Sequence, residues 1–143
     1  MLQGKDLRHI LKRVYKHESL AGIDLRNLYL SFMNFSGLDL RRADLEGCCL
    51  SHSNLDDCDL TDANLTNAKL NHASLKRAKM MGTILTDAMA DGASFEGASG
   101  LTASTIDYLK SKRAKGLKRI KSSRTAHVGG LKKRREYFLD LVN

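Results

Sequence analysis

Ala43-Asp44-Leu45-Glu46-Gly47, with Ala63-Asn64-Leu65-Thr66-Asn67 twenty residues later, decides how this chain folds. Working outward from Leu45, a leucine recurs every fifth residue: Leu20, Leu25, Leu30, Leu40, Leu50, Leu55, Leu60, Leu65, Leu70, Leu75 and Leu85. Phe35, Met80, Ala90 and Phe95 hold the same register, which gives sixteen centres without an insertion. Two residues before each centre stands a second, mostly small residue, such as Ala43, Cys48, Ser53, Cys58, Ala63 or Ala68. The residue between the two is mostly polar, as in Asp24, Asn34, Asp39, Asn54 and Asp59. A period of five matches neither the 3.6 of a helix nor the 2 of a flat strand. A chain that takes a short extended step and then a corner does match it. One large and one small residue then point inward, and Gly or Asn after the centre suits the corners.

These units resemble the A(D/N)LXX unit of the pentapeptide-repeat family, over about residues 18–97. The resemblance implies an all-β solenoid: a right-handed, four-sided (quadrilateral) β-helix with four pentapeptides per coil. Sixteen repeats then make four coils, 18–37, 38–57, 58–77 and 78–97, standing roughly 19 Å tall at the inter-strand spacing. Residues twenty apart stack as columns, so Phe32, His52, His72 and Gly92 share one, and Asp57 lies under Arg77. Ile23, Leu28 and Met33 are large for the small inward position and mark a wider first coil. Ala90, with Ala88 beside it, leaves a corner near the other end to be filled by another segment.

Three divisions follow: 1–17, 18–97 and 98–143. In the first, Leu7, Ile10, Leu11 and Val14 fall on one face of an amphipathic helix that is expected to cap the bulky coil. In the last, Ser104 is the expected helix cap, with Ile106 and Leu109 covering the final coil, and a second short helix is expected over Leu131–Val142.

The formal net charge of +8 is unevenly spread: +4 over residues 1–17, −5 over 18–97 and +9 over 98–143. The last segment is therefore read as a basic, partly helical arm. Lys110, Lys112, Arg113, Lys115, Lys118, Arg119, Lys121 and Arg124 are expected to meet an acidic macromolecule, nucleic acid or protein, and Lys132, Lys133, Arg134 and Arg135 add to them. Residues 110–130 contain no aromatic ring to stack on bases, so sequence-specific readout is not implied. Tyr137, Phe138, Leu141 and Val142 need a surface, on the rod or on another copy in a homodimer or larger assembly.

A leucine-filled bore leaves no substrate pocket, and no nucleophile–base pair with a third positioned member is evident. The chain reads as a non-enzyme with no cofactor, no metal and no small-molecule substrate. His52 and His72 near Cys49 read as a solvated pair, and Cys48 and Cys58 as core residues. Three cysteines without framework spacing, and no long apolar run, fit a cytoplasmic protein without a membrane role. The reading is a binding or scaffold protein docked through its arm. Family members of the quinolone-resistance type supply the alternative, because they present an acidic rod in the DNA site of gyrase. The girdle Asp39, Asp44, Glu46, Asp56, Asp57, Asp59 and Asp62 would then act as a DNA mimic towards a type II topoisomerase.

Overall fold

Nearly every five-residue step closes its own turn: the N–H of the residue three after a centre bonds back to the centre carbonyl, as in Ala63 N to Leu60 O at 2.9 Å and Ala68 N to Leu65 O at 3.1 Å. The residue two after the centre takes the left-handed conformation, at glycines and equally at Asn27, His52, Asp57, Asp62 and Asn67. Asn and Asp tolerate that conformation best among side-chain-bearing residues, which explains the composition of the corners. The residue before the centre often folds its side chain back onto the backbone two residues on. Asp59 Oδ1 accepts from Thr61 N at 3.1 Å, and Asn64 Oδ1 from Thr66 N at 3.1 Å.

In the computed structural model, which describes residues 7–120 and 122, the steps return on themselves every twenty residues. Asp24 pairs with Asp44, Asp44 with Asn64 and Asn64 with Ile84, all parallel. Tyr29, Cys49, Lys69 and Met89 form a second such series, and Asn34, Asn54, Ser74 and Ser94 a third. The bridges are single and separated by corners, so no strand is longer than a few residues. The backbone is a β-helix of stacked short rungs.

The bore is filled as the five-residue period requires. The centres from Leu20 to Phe95 are at most 5% exposed. Polar atoms at the small inward position find backbone carbonyls: Cys48 Sγ donates to Leu25 O at 2.7 Å, Cys58 Sγ to Phe35 O at 2.9 Å and Thr83 Oγ1 to Leu60 O at 2.7 Å on the rung before, and Ser53 Oγ to Leu50 O at 2.6 Å within its own turn. Burial pushes the Cys58 thiol up to about 12. It is therefore a neutral core residue at physiological pH.

Helix α1 spans Leu7–Tyr15 and puts Ile10 and Val14 into the same core as Leu20 and Leu28. Only half of the expected face is used: Leu7 is 44% and Leu11 38% exposed. The buried pair is spaced i, i+4, the narrowest stripe a helix offers. Arg13 donates to the carbonyl of Ser19 and ties the helix to the first rung.

Helix α2, Ala103–Ser111, begins two residues earlier than expected. Thr102, not Ser104, is the N-cap. It is the residue with extended backbone angles (φ −78°, ψ 159°), and its side chain accepts from Thr105 N. Ile106 and Leu109 are buried against the last coil, and Tyr108 donates its hydroxyl to Ala88 O at 2.9 Å. Tyr108 thus ties α2 to the rung of Ala88 and is partly buried against the core.

After α2 the chain rejoins the solenoid. Gly92 N donates to Arg113 O at 3.3 Å, Phe95 N to Lys115 O at 2.9 Å, and Lys115 N to Ala93 O at 2.7 Å. Ser94 and Lys115 form a parallel bridge, now twenty-one residues apart. Gly116 follows with φ 77°, and a Cβ there would lie 2.5 Å from Glu96 N. Only glycine fits at that approach. A single 3-10 turn over Leu117–Arg119 then buries Leu117, and Ile120 is buried after it.

Candidate functional site

The described basic residues of the C-terminal segment are held on fixed elements. Lys110 and Lys112 sit on the end of α2, Arg113 and Lys115 on the returning rung, and Lys118 on the 3-10 turn. All five are exposed. Lys112 Nζ lies 5.3 Å from the Tyr108 ring centroid, and Lys110 Nζ 4.0 Å from Asp107. Arg113 is committed locally, with Nη2 2.6 Å from Asp91 Oδ2. Arg119 is the last residue of the 3-10 turn, which Ile120 N closes on Leu117 O. Lys121, Arg124, Lys132, Lys133, Arg134, Arg135, Tyr137, Phe138, Leu141 and Val142 lie outside the described residues.

The acidic girdle is partly neutralised on the rod itself. Arg41 meets Asp39 through both Nε and Nη2 at 2.8 Å, and Ser19 Oγ adds a bond from the rung above at 2.9 Å. The Arg41 bond, above all, holds the Asp39 carboxyl well below the usual carboxylate range. Arg77 clasps Asp57 one rung away at 2.8 and 2.9 Å, and the Asp57 carboxyl is lowered by that bond. Arg26 lies 3.0 Å from Asp24 and 3.6 Å from Asp44. Asp56 accepts from Ser74 Oγ and from the backbone N of Lys76 at 2.9 Å. These pairs are exposed and contribute modestly to stability.

One side of the rod differs from the rest. Residues 28–32, 48–52, 68–72 and 88–92 stack as one face and carry two charges, Lys69 and Asp91, whereas the other three faces carry five to seven each. Phe32 and His52 stack with ring centroids 4.9 Å apart, and His52 and His72 at 5.0 Å. Gly92 closes that column, since a Cβ there would lie 2.5 Å from His72 Nδ1. Tyr29 is 83%, Phe32 77% and Met89 50% exposed. Twenty-residue spacing announces the ring column, whereas Tyr29 and Met89 occupy the mostly polar position before a centre and carry no mark in the repeat. The half-buried Cys49 thiol lies between them, 3.0 Å from Ser31 Oγ, and that hydrogen bond lowers its pKa.

Among the described residues no group of three or more His, Cys, Asp or Glu side chains is placed to hold a metal, and no helix is long and apolar enough to cross a membrane.

The family model "Pentapeptide repeats" matches residues 19–57 and 58–97 in eight copies. No match was found among curated protein sequences. Among solved structures, a trypsin-treated variant of QnrB1, described as a plasmid-mediated fluoroquinolone resistance protein, is 27% identical with a TM-score of 0.53, covering 55% of this chain and 41% of that one. The chain thus spans less than half the length of QnrB1. The pentapeptide repeat protein alr5209 from Nostoc Pcc 7120 is 20% identical with a TM-score of 0.47, covering 78% of this chain and 94% of that one. HetL, a pentapeptide repeat protein involved in heterocyst differentiation regulation from the cyanobacterium Nostoc sp. strain PCC 7120, is 29% identical with a TM-score of 0.35, covering 67% and 47%. With the five-residue unit in the sequence, its twenty-residue return in the backbone and a model match over more than half the chain, this protein belongs to the pentapeptide-repeat family.

Proposed function

We propose that the protein is a non-catalytic scaffold: a rod of four coils, capped by α1 at one end, whose basic C-terminal end docks onto an acidic macromolecule. The observation that carries this reading is the rim of Lys110, Lys112, Lys115 and Lys118, exposed on elements bonded into the solenoid. Bases fixed on a rigid end lose less side-chain and backbone entropy on binding than the same bases on a loose tail. The rim opens a segment whose formal charge is +9. Nucleic acid is the acidic partner best matched to such a charge density, since each phosphate contact releases counterions. The test is binding of the full-length protein to a mixed-sequence duplex and to an RNA at two salt concentrations. Binding that weakens steeply with salt and ignores sequence supports the reading, and no binding at low salt removes nucleic acid from it.

A second reading has its own observation, the similarity to QnrB1. The rod would then stand in for DNA on a type II topoisomerase. Arg26, Arg41, Arg77 and Arg113 weigh against it, because they break the acidic surface at Asp24, Asp39, Asp57 and Asp91. Protection of gyrase supercoiling from a fluoroquinolone by the full-length protein would favour this second reading over the first.

A further inference from the structure

Helix α1 buries only Ile10 and Val14, and the rest of its surface is sorted by chemistry. On a helix, residues four apart fall close to one line. Ile10 and Val14 form the buried line. Leu7, Leu11 and Tyr15 form the next, all exposed, Tyr15 to 87%. Arg8, Lys12 and Lys16 form the line beyond that and are exposed as well. With Arg13, residues 7–17 hold four bases and no acid. The coil that α1 caps adds two exposed rings, Tyr29 and Phe32. Leucines and a tyrosine beside a row of bases match the boundary between lipid headgroups and acyl chains. Bases alone suffice for nucleic acid, which gives the leucine line nothing to cover it. A second copy fits less well, because two ends of this charge repel. No helix among the described residues is long and apolar enough to cross a membrane, but that bears on spanning a bilayer and not on lying at its surface.

We infer that α1 docks the rod onto an anionic lipid bilayer, with Leu7, Leu11 and Tyr15 in the headgroup–acyl boundary and Lys12 and Lys16 on the anionic headgroups. Ile10 and Val14 stay in the core of the rod, so the helix keeps its capping role while docked. The expectation of no membrane role rested on the lack of a long apolar run, which concerns spanning alone. The inference lies at the opposite end of the rod from the basic rim and stands whether or not that rim binds nucleic acid.

The chain has no tryptophan, so Tyr15→Trp at an exposed position reports this helix alone. The full-length variant is titrated with vesicles of phosphatidylcholine, and with vesicles that also hold about 30% phosphatidylserine. With the anionic vesicles its emission should move to shorter wavelength and be quenched by brominated acyl chains. In the same background Leu7→Ser/Leu11→Ser should weaken partitioning about tenfold, since about two-fifths of each leucine is there to be buried. Lys12→Gln/Lys16→Gln should weaken it by more than about tenfold, at about fivefold per base. Duplex binding by the leucine variant should be unchanged. Vesicle binding without an emission change assigns the contact to the C-terminal segment and overturns the inference. Equal partitioning of the leucine variant and its parent overturns it too, as does an equal response to neutral and anionic vesicles. The emission test needs neither double variant, so it decides the matter even if one of them fails to fold.

Discussion

Truncating Leu65 to alanine should cost about 3–5 kcal/mol, the upper part of the range for buried leucines. The reason is the rigidity around it. Leu65 has no exposed surface and stacks between Leu45 and Leu85, with Ala63 and Ala68, also fully buried, as the small inward residues beside it. Its rung is bonded on both sides, through Asn64 N to Ala43 O at 3.0 Å and Leu65 N to Ile84 O at 2.8 Å. The bore cannot collapse onto the missing methyl groups without breaking those bonds, so the cavity persists. Ile84→Ala is the internal control. Ile84 is a neighbouring large aliphatic residue one rung away, but it points outward and is 48% exposed, so its truncation should cost less than about 1 kcal/mol. Urea unfolding followed by circular dichroism gives both values, with the slope expected to stay constant. Leu65→Asp would place a charge in the bore and should not fold. The reasoning fails if Leu65→Ala costs under about 1 kcal/mol, or if the two alanine variants are equally destabilised.

Other outcomes follow from single contacts. Gly116→Ala should detach the returning rung, because the new Cβ meets the backbone of Glu96 at 2.5 Å. Gly22→Ala, at φ +67° with nothing within 4 Å, should cost only the left-handed penalty of roughly 1–2 kcal/mol, and thermal melts of the two separate these effects. Thr102→Ala should cost about 1 kcal/mol through loss of the α2 cap, read by urea unfolding. The Asp39 carboxyl is depressed in the folded state, so its contribution is present above the ordinary value of 3.8 and is lost as pH falls below it. Asp39→Asn should therefore lower the melting temperature at pH 7, and the difference from wild type should shrink progressively as pH falls below 3.8.

Most of the rod was legible because one side-chain rule repeats. A large residue every fifth position has a single way to be buried, and twenty-residue columns such as Phe32–His52–His72 follow from it. The ends were less legible because they do not repeat. Gly116 stands where a leucine would mark a centre, so the returning rung at Lys115 has no signature in the five-residue pattern. Leu7 and Leu11 fit the helical period as well as Ile10 and Val14, and only the tertiary placement of α1 decides which pair is buried. The choice between Thr102 and Ser104 as cap was likewise set by where the last rung releases the chain. Among the site residues, sequence identified the bases but not their anchoring, which depends on backbone bonds across Ala93, Ser94 and Phe95. That anchoring changes the experiment, since cutting the chain before Arg113 would remove a rung along with the arm.

The most direct test of the docking account is therefore made on the intact chain. Lys110, Lys112, Lys115 and Lys118 are changed together to glutamine, and the salt dependence of duplex binding is compared with wild type. If all four sit on phosphates, the slope of log affinity against log salt should fall in magnitude by roughly 3–4, at about 0.9 per contact on B-form DNA. The circular dichroism spectrum should be unchanged, because all four ammonium groups are exposed. An unchanged slope in a folded variant would contradict the account, leaving the rim of the rod without the role assigned to it.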